Sequence, residues 1–263
     1  FLNPDTRVEP DWLDELIAAL EADPQAGLVT SRILLLDDPE HINTCGNDVH
    51  YTGLALCRGM NMPRDTFITQ QTVGAISGAA CALRRSLFTA LGGFDHTFFT
   101  YMEDTDLSWR VRLAGYTCVY VPTSIVYHDY TLRFGPRKTF YQERNRYLML
   151  LKSLRWRTLL AMLPALLIAE GVTWGFTVLR EPHRFGNKLR AYVWLVQHWD
   201  VVIQGRQHTQ ALRAVRDHDL IASYSHRIAF EQTGAGWVAR TATAIFDPLF
   251  LVWQRWLLRV VRW

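Results

Sequence analysis

TYMEDTDLSWRVRLAGYTCVYVPTSIVYH, residues 100–128, contains a helix followed by extended chain. Leu107, Val111 and Ala114 recur at helical spacing, and Gly115 stands where a helix ends in a left-handed residue, so the pattern predicts a helix from about Asp104 to Ala114. TCVYV (117–121) and SIVYH (124–128) then read as two short strands separated by Pro122.

The same alternation continues on either side. Asp11 is placed to cap a helix running to about residue 22, with Trp12, Leu13, Leu16, Ile17 and Leu20 on one face. LVTSRILLL (28–36) reads as a buried strand, and Ile42–Gly59 as a hairpin-rich excursion. VGAISGAACALRR (73–85) passes from a strand through small residues into a short helix closed by Gly92 and Gly93. From about Lys138 a further helix runs through YQERNRYLMLLKSL. Alternating strands and helices predict an α/β layer architecture for residues 1–150.

The 263 residues carry a formal net charge of +3, which hides an asymmetry. Residues 1–150 hold 13 Lys/Arg against 18 Asp/Glu, and residues 151–263 hold 15 against 7, so the parts carry −5 and +8. Eight of the ten tryptophans lie in the basic part. Its cations form no dense run and sit among aliphatic stretches, which argues against a nucleic-acid partner and for a membrane surface.

Between Arg157 and Arg180, 22 residues contain Glu170 as their sole ionisable side chain. As a helix they would span roughly 33 Å against a bilayer core of about 30 Å. Glu170 near the middle would cost a few kcal/mol if unpaired, and Pro164, Gly171 and Gly175 interrupt the run. FDPLFLVWQRWLLRVVRW (246–263) mixes Trp and Arg as an interfacial amphipathic helix does and is too charged to span. Membrane-surface attachment is the expectation, with a span or soluble packed helices as alternatives.

Cys45, Cys57, Cys81 and Cys118 are widely spaced, without a CxxC pair, and read as free thiols in a reducing compartment rather than a zinc site. Phe1 and Leu2 run straight into a polar turn, as the end of a strand whose earlier part is absent, so a fragment is expected.

Four groups carry chemistry. Asn3 and Asp5 would sit at the C-terminal edge of a strand, where open α/β sheets bind ligands, although Asn-Pro-Asp is also ordinary turn chemistry. Glu103, Asp104 and Asp106 crowd one helix start. Capping needs one or two of them, and a carboxylate kept ionised to accept a proton is the functional alternative. His128 ends a strand and could give a nitrogen to a divalent ion or serve structure alone. ERNRY (143–147) places Arg144 and Arg146 on the helix that follows, where one could neutralise a phosphate or both lie on a solvated face.

FLNPDT, SGAACALRR, GGFDHTFFTYMEDTDLSWRVRLAGY, YVPTSIVYH and ERNRYLMLLK, in that order, resemble the second half of a family 2 glycosyltransferase of the rhamnosyltransferase-like group. The resemblance covers roughly residues 1–155. It implies the C-terminal two-thirds of a Rossmann-like GT-A domain, followed at 156–263 by a helical, basic, membrane-associating extension.

The resemblance further implies that Asp5, in a DxD-type motif whose first Asp is replaced by Asn3, and His128 bind Mg²⁺ or Mn²⁺. Asp104 matches the general base of inverting enzymes. Gly78 and Ala79 match a loop beside the donor sugar, and Trp109 and Arg110 fall in the segment shaping the acceptor site. Glu103, Asp106 and Arg144 join the substrate-binding set. The βαβ run that contacts the nucleobase in relatives has no counterpart in these residues.

The implied reaction moves a sugar, rhamnose being one candidate, from a nucleoside-diphosphate donor to a glycan or lipid-linked acceptor. The implied place is the cytoplasmic face of a bacterial plasma membrane. No oligomeric state is implied. A metal-dependent hydrolase using the same acids, and a non-catalytic membrane-docking module, are the competing readings. A two-metal hydrolase would ordinarily show more His and Asp ligands.

Overall fold

The computed structural model describes residues 1–130, 137–232 and 236–263. Its contacts divide the chain into two compact units. The first comprises Phe1–Asp48, Ala55–Phe99 and Glu103–Arg133, and the second Val49–Leu54, Thr100–Met102 and Phe134–Trp263. The helix beginning at Lys138 packs among the later helices and belongs to the second unit.

In the first unit the elements are β1 (Thr6–Val8), α1 (Trp12–Ala22), β2 (Ala26–Leu35), β3 (Ile42–Thr44), β4 (Asn47–Val49) and β5 (Ala55–Cys57). They are followed by β6 (Gln71–Thr72), β7 (Cys81–Leu83), α2 (Arg85–Ala90), α3 (Glu103–Leu113) and β8 (Thr117–His128). The main sheet has the order β1-β8-β2-β3, with β6 on β8 and β7 on β2. The β2–β8 pair is parallel and the other pairs of this sheet are antiparallel, so the unit is mixed α/β.

The two strands expected over 117–128 are one. Ser31 pairs with Val121 and Arg32 with Ile125, so residues 122–124 bulge out of the ladder and the strand then resumes. Pro122, which has no N–H to donate, sits in that bulge. On β8, Val119 and Val121 face α1, packing with Leu16, Ala19 and Leu20. Cys118 points the other way, its Sγ 3.8 Å from the Ser108 carbonyl of α3. The strand's period of two thus puts α1 and α3 on opposite faces.

Burying Leu16 and Leu20 contributes about 1.5–3 kcal/mol each to holding α1 on the sheet. The buried stripe of α1 is narrower than its sequence suggests, since Leu13 and Ile17 are exposed. Asp11 takes the cap position of α1 without a side-chain cap bond. Gly115 ends α3 at φ 91°, as its position predicts.

The second unit is helical: α4 (Lys138–Ser153), α5 (Trp156–Arg180), α6 (Phe185–Gln197), α7 (Trp199–Ala211), α8 (Asp217–Ser223) and α9 (Trp237–Val260). α4 packs on α6 and α7, and α9 on α5 and α8. α5 runs unbroken through Pro164 and is long and apolar enough to cross a membrane by length and composition.

Glu170 of α5 is not isolated. It accepts from Arg146 and Tyr147 of α4 and from Tyr192 of α6, and lies 3.3 Å from Lys188 Nζ. Glu143 completes this buried cluster, 2.7 Å from the fully buried Lys188 ammonium. The charge that would oppose insertion of α5 instead ties three helices together.

Candidate active site

The β1–β8 ladder fixes the first pair of site residues. Thr6 pairs with His128, and the Asp129 amide donates to the Asp5 carbonyl over 2.9 Å. The Asp5 carboxylate, half exposed, therefore stands 3.3 Å from His128 Nε2, while the imidazole itself is buried. On the other side of the ring, His128 Nδ1 lies 3.0 Å from Asn43 Oδ1.

The small-residue loop provides the second part. Thr30 Oγ1 donates to the Ala80 carbonyl over 2.9 Å and anchors the loop to β2. The Asn3 amide donates to the Ala79 carbonyl over 2.9 Å, which brings the Asn3–Asp5 turn against the loop. The Gly78 amide donates to Asp104 Oδ2 over 2.9 Å. A Cβ on Gly78 would lie 3.2 Å from the Asp104 Cβ, so glycine is what lets backbone and carboxylate approach this closely.

Asp104 Oδ1 accepts from the Thr105 amide over 2.6 Å and from Thr105 Oγ1 over 3.1 Å. Burial pushes the Asp104 carboxyl above its ordinary range, and the donors from Gly78 and Thr105 pull it back toward ionisation. Its neighbour Glu103 has one buried oxygen without a hydrogen-bond partner among the described residues. Burial first, and the Asp104 charge second, push the Glu103 carboxyl up to about 7. The two adjacent carboxyls are therefore unequal: one is held by donors, the other is poised near neutrality.

Asn3, Asp5, Gly78, Ala79, Glu103, Asp104 and His128 thus belong to one unit, most of them tied by direct bonds. Three other expected substrate contacts are placed differently. Asp106, Trp109 and Arg110 are buried, and Arg110 Nε donates to Asp106 over 2.8 Å. Arg110 Nη1 donates to the carbonyls of Leu91 and Gly93. All three are buried with the rest of the helix from Thr105 to Leu113, and Arg110, paired with Asp106, holds the 91–93 turn.

Arg144 belongs to the second unit and is neither solvated nor turned toward an open surface. It is buried, with its guanidinium 5.1 Å from the Tyr141 ring centroid and 4.6 Å from that of Trp194. Cation–π contact accounts for its place, and the Trp194 ring comes from a helix distant in sequence. Asn43 and Thr105 were not singled out by sequence. An Asn inside the strand triplet Ile42-Asn43-Thr44 was the available signal for the first.

Asp5 and His128 suit a divalent cation. A carboxylate oxygen and an imidazole nitrogen are both lone-pair donors, and adjacent ligands of an octahedral ion with bonds of about 2.1 Å stand about 3 Å apart. Among the described residues no group of three or more His, Cys, Asp or Glu forms a metal cluster. The four cysteines are free thiols.

Sheet and site define an α/β protein with two adjacent carboxyls at a helix start and an Asp–His pair at a strand end. The profile of the Glycosyl transferase family group 2 matches residues 1–203, and the chain belongs to this family. It is 33% identical to the N-acetylglucosaminyl-diphospho-decaprenol L-rhamnosyltransferase of Mycobacterium tuberculosis, over 48% of this chain and 45% of that protein. It is 27% identical to the rhamnosyltransferase WbbL of Escherichia coli K12, over 49% and 50%. The chain thus spans about half the length of these curated relatives. A crystal structure of GalNAc-T7 with UDP, GalNAc and Mn²⁺ is similar at a TM-score of 0.45 and 19% identity, over 57% of this chain and 30% of that one.

Proposed function

We propose that the protein is a glycosyltransferase of GT-A type that moves a sugar from a nucleoside-diphosphate donor to a hydroxyl of a glycan or lipid-linked acceptor, with inversion. The observation that carries this reading is the run of bonds from Asp104 to Gly78, from Ala79 to Asn3, and from Asp5 to His128. It supports the reading of Asp104 as proton acceptor and of Asp5 and His128 as metal ligands, because these residues and the small-residue loop belong to one unit.

Asp104 Oδ2 spends one lone pair on the Gly78 amide and keeps the other for the acceptor hydroxyl. As that proton passes to Asp104, the acceptor oxygen bonds to the anomeric carbon and the bond to the diphosphate oxygen breaks, its electron pair leaving with the diphosphate. A positioned carboxylate base contributes about 10²–10⁴-fold to such a step. Asp5 and His128 would hold Mg²⁺ or Mn²⁺, which supplies Lewis-acid stabilisation of the departing diphosphate. Direct displacement by one base needs no covalent sugar–enzyme intermediate, hence inversion.

Glu103, Asn3 and Ala79 line this region as substrate contacts. The names of the relatives favour rhamnose as the sugar and a lipid diphosphate as the acceptor. The second unit supports attachment to an anionic membrane surface. α9 exposes Leu249, Val252 and Trp256, with Arg255 and Arg259 exposed beside them. A panel of nucleoside-diphosphate sugars with a glycosyl or lipid-diphosphate acceptor tests the reading. An inverted glycoside is expected; hydrolysis alone, or retention of configuration, overturns it.

A further inference from the structure

Asn43 occupies an irregular point of the sheet. Ile33 pairs with Thr44 and Leu34 with Ile42, so β3 carries one residue more than its partner and Asn43 is the extra one. A bulge of this kind turns a side chain out of its regular direction, and bulges recur beside active sites. Here the bulged side chain is 2% exposed and places Oδ1 3.0 Å from His128 Nδ1.

Which amide atom faces the ring is decided by the other end of the group. Asn43 Nδ2 lies 4.0 Å from the Met60 sulfur. A thioether accepts hydrogen bonds and cannot donate them, so it favours the amide NH₂ on its side and leaves the carbonyl oxygen toward histidine. A carbonyl oxygen accepts, and so requires a proton on Nδ1. Neutral imidazole has a single N–H; placing it on Nδ1 leaves Nε2 as a bare lone pair 3.3 Å from Asp5 Oδ1. The competing tautomer would donate Nε2–H to Asp5. That carboxylate is 50% exposed and well hydrated, whereas an unmet Asn43 carbonyl facing an unmet Nδ1 would be buried.

We propose that Asn43 is a positioning residue: its side-chain carbonyl fixes His128 as the Nδ1–H tautomer, so that Nε2 and Asp5 together present two lone-pair donors to a divalent cation. The proposal rests on the reading of Asp5 and His128 as metal ligands. It assigns to Asn43 the outer hydrogen bond that metal-bound histidines commonly make, through which ring orientation and basicity are set.

The test uses the full chain and two variants, Asn43→Leu, which keeps the branched heavy-atom skeleton and removes the acceptor, and Asn43→Asp, which keeps an acceptor. Long-range ¹H–¹⁵N correlation of His128 in metal-free protein, at a pH above the ordinary histidine range, reads the tautomer directly. The expected result is Nδ1–H in the wild type and in Asn43→Asp, with a shift toward Nε2–H in Asn43→Leu. Nε2–H in the wild type, or a tautomer indifferent to Asn43→Leu, overturns the proposal.

Mn²⁺ uptake followed by electron paramagnetic resonance gives the second readout. Asn43→Leu should bind about 10–100-fold more weakly and Asn43→Asp close to wild type. Equal affinity in all three overturns the positioning role. A wild type that holds the Nδ1–H tautomer yet takes up no Mn²⁺ overturns the metal reading itself and, with it, the purpose assigned to Asn43.

Discussion

Replacing Glu103 by Gln removes a charge that burial in the first unit opposes. The Glu103 carboxyl ionises near 4.5 in an unfolded chain and at about 7 in the folded one, chiefly because burial opposes the charged form. A group raised in this way adds stability that is complete below pH 4.5 and is lost as pH rises through about 7. The interval corresponds to about 3 kcal/mol between the two limits. Glutamine has nearly the same shape and no charge at any pH, so Glu103→Gln should match the wild type under acid conditions and exceed its stability by about 3 kcal/mol in mild alkali.

Because the chain has two units, the assay should report on the first alone. Urea dependence of amide hydrogen exchange within α3 and residues 77–80 does so. The difference between wild type and variant should open as pH passes through neutrality. Parallel pH profiles for the two proteins would refute the reasoning, since they would mean that Glu103 ionises in the fold as it does in water.

Three further outcomes follow from named contacts. Gly78→Ala should displace Asp104, whose Cβ would lie 3.2 Å from the new methyl group, and lower turnover well beyond any change in donor affinity; single-turnover kinetics separate the two. Glu170→Ala should destabilise the helical unit by about 3–5 kcal/mol, because Arg146 and Lys188 stay buried after losing a partner; unchanged exchange in α4 and α6 would contradict this. Changing both Arg255 and Arg259 to Gln should weaken binding to phosphatidylserine vesicles by about 1 kcal/mol per Arg, roughly fivefold each, in flotation assays at low salt.

Local pattern carried much of this protein. Helical spacing located α1, α3 and α4, and the polar residues around Asn3, Gly78, Asp104 and His128 stood out because strand ends and helix starts are where an α/β sheet presents chemistry. What sequence could not show depended on partners far along the chain. Glu170 looked like a lone acid in an apolar run, yet its cations and phenols come from residues 146, 147, 188 and 192. Arg144 reads as a phosphate contact or a solvated helix residue, and aromatic rings on two helices enclose it. Asp106, Trp109 and Arg110 belong to the same helix as Asp104, but that helix is buried all round from Thr105 to Leu113, which its polar sequence does not announce. Asn43 is brought to His128 by a bulge, and a one-residue irregularity in pairing has no local signature.

In the proposed reaction Asp104 takes the acceptor's proton. Asp104→Asn in the full-length protein keeps one oxygen for the Gly78 amide and removes the basic lone pair. Measured by glycoside product from a nucleoside-diphosphate sugar alongside calorimetric donor binding, the variant should form essentially no product while binding donor as the wild type does. Turnover near the wild-type rate would contradict the account.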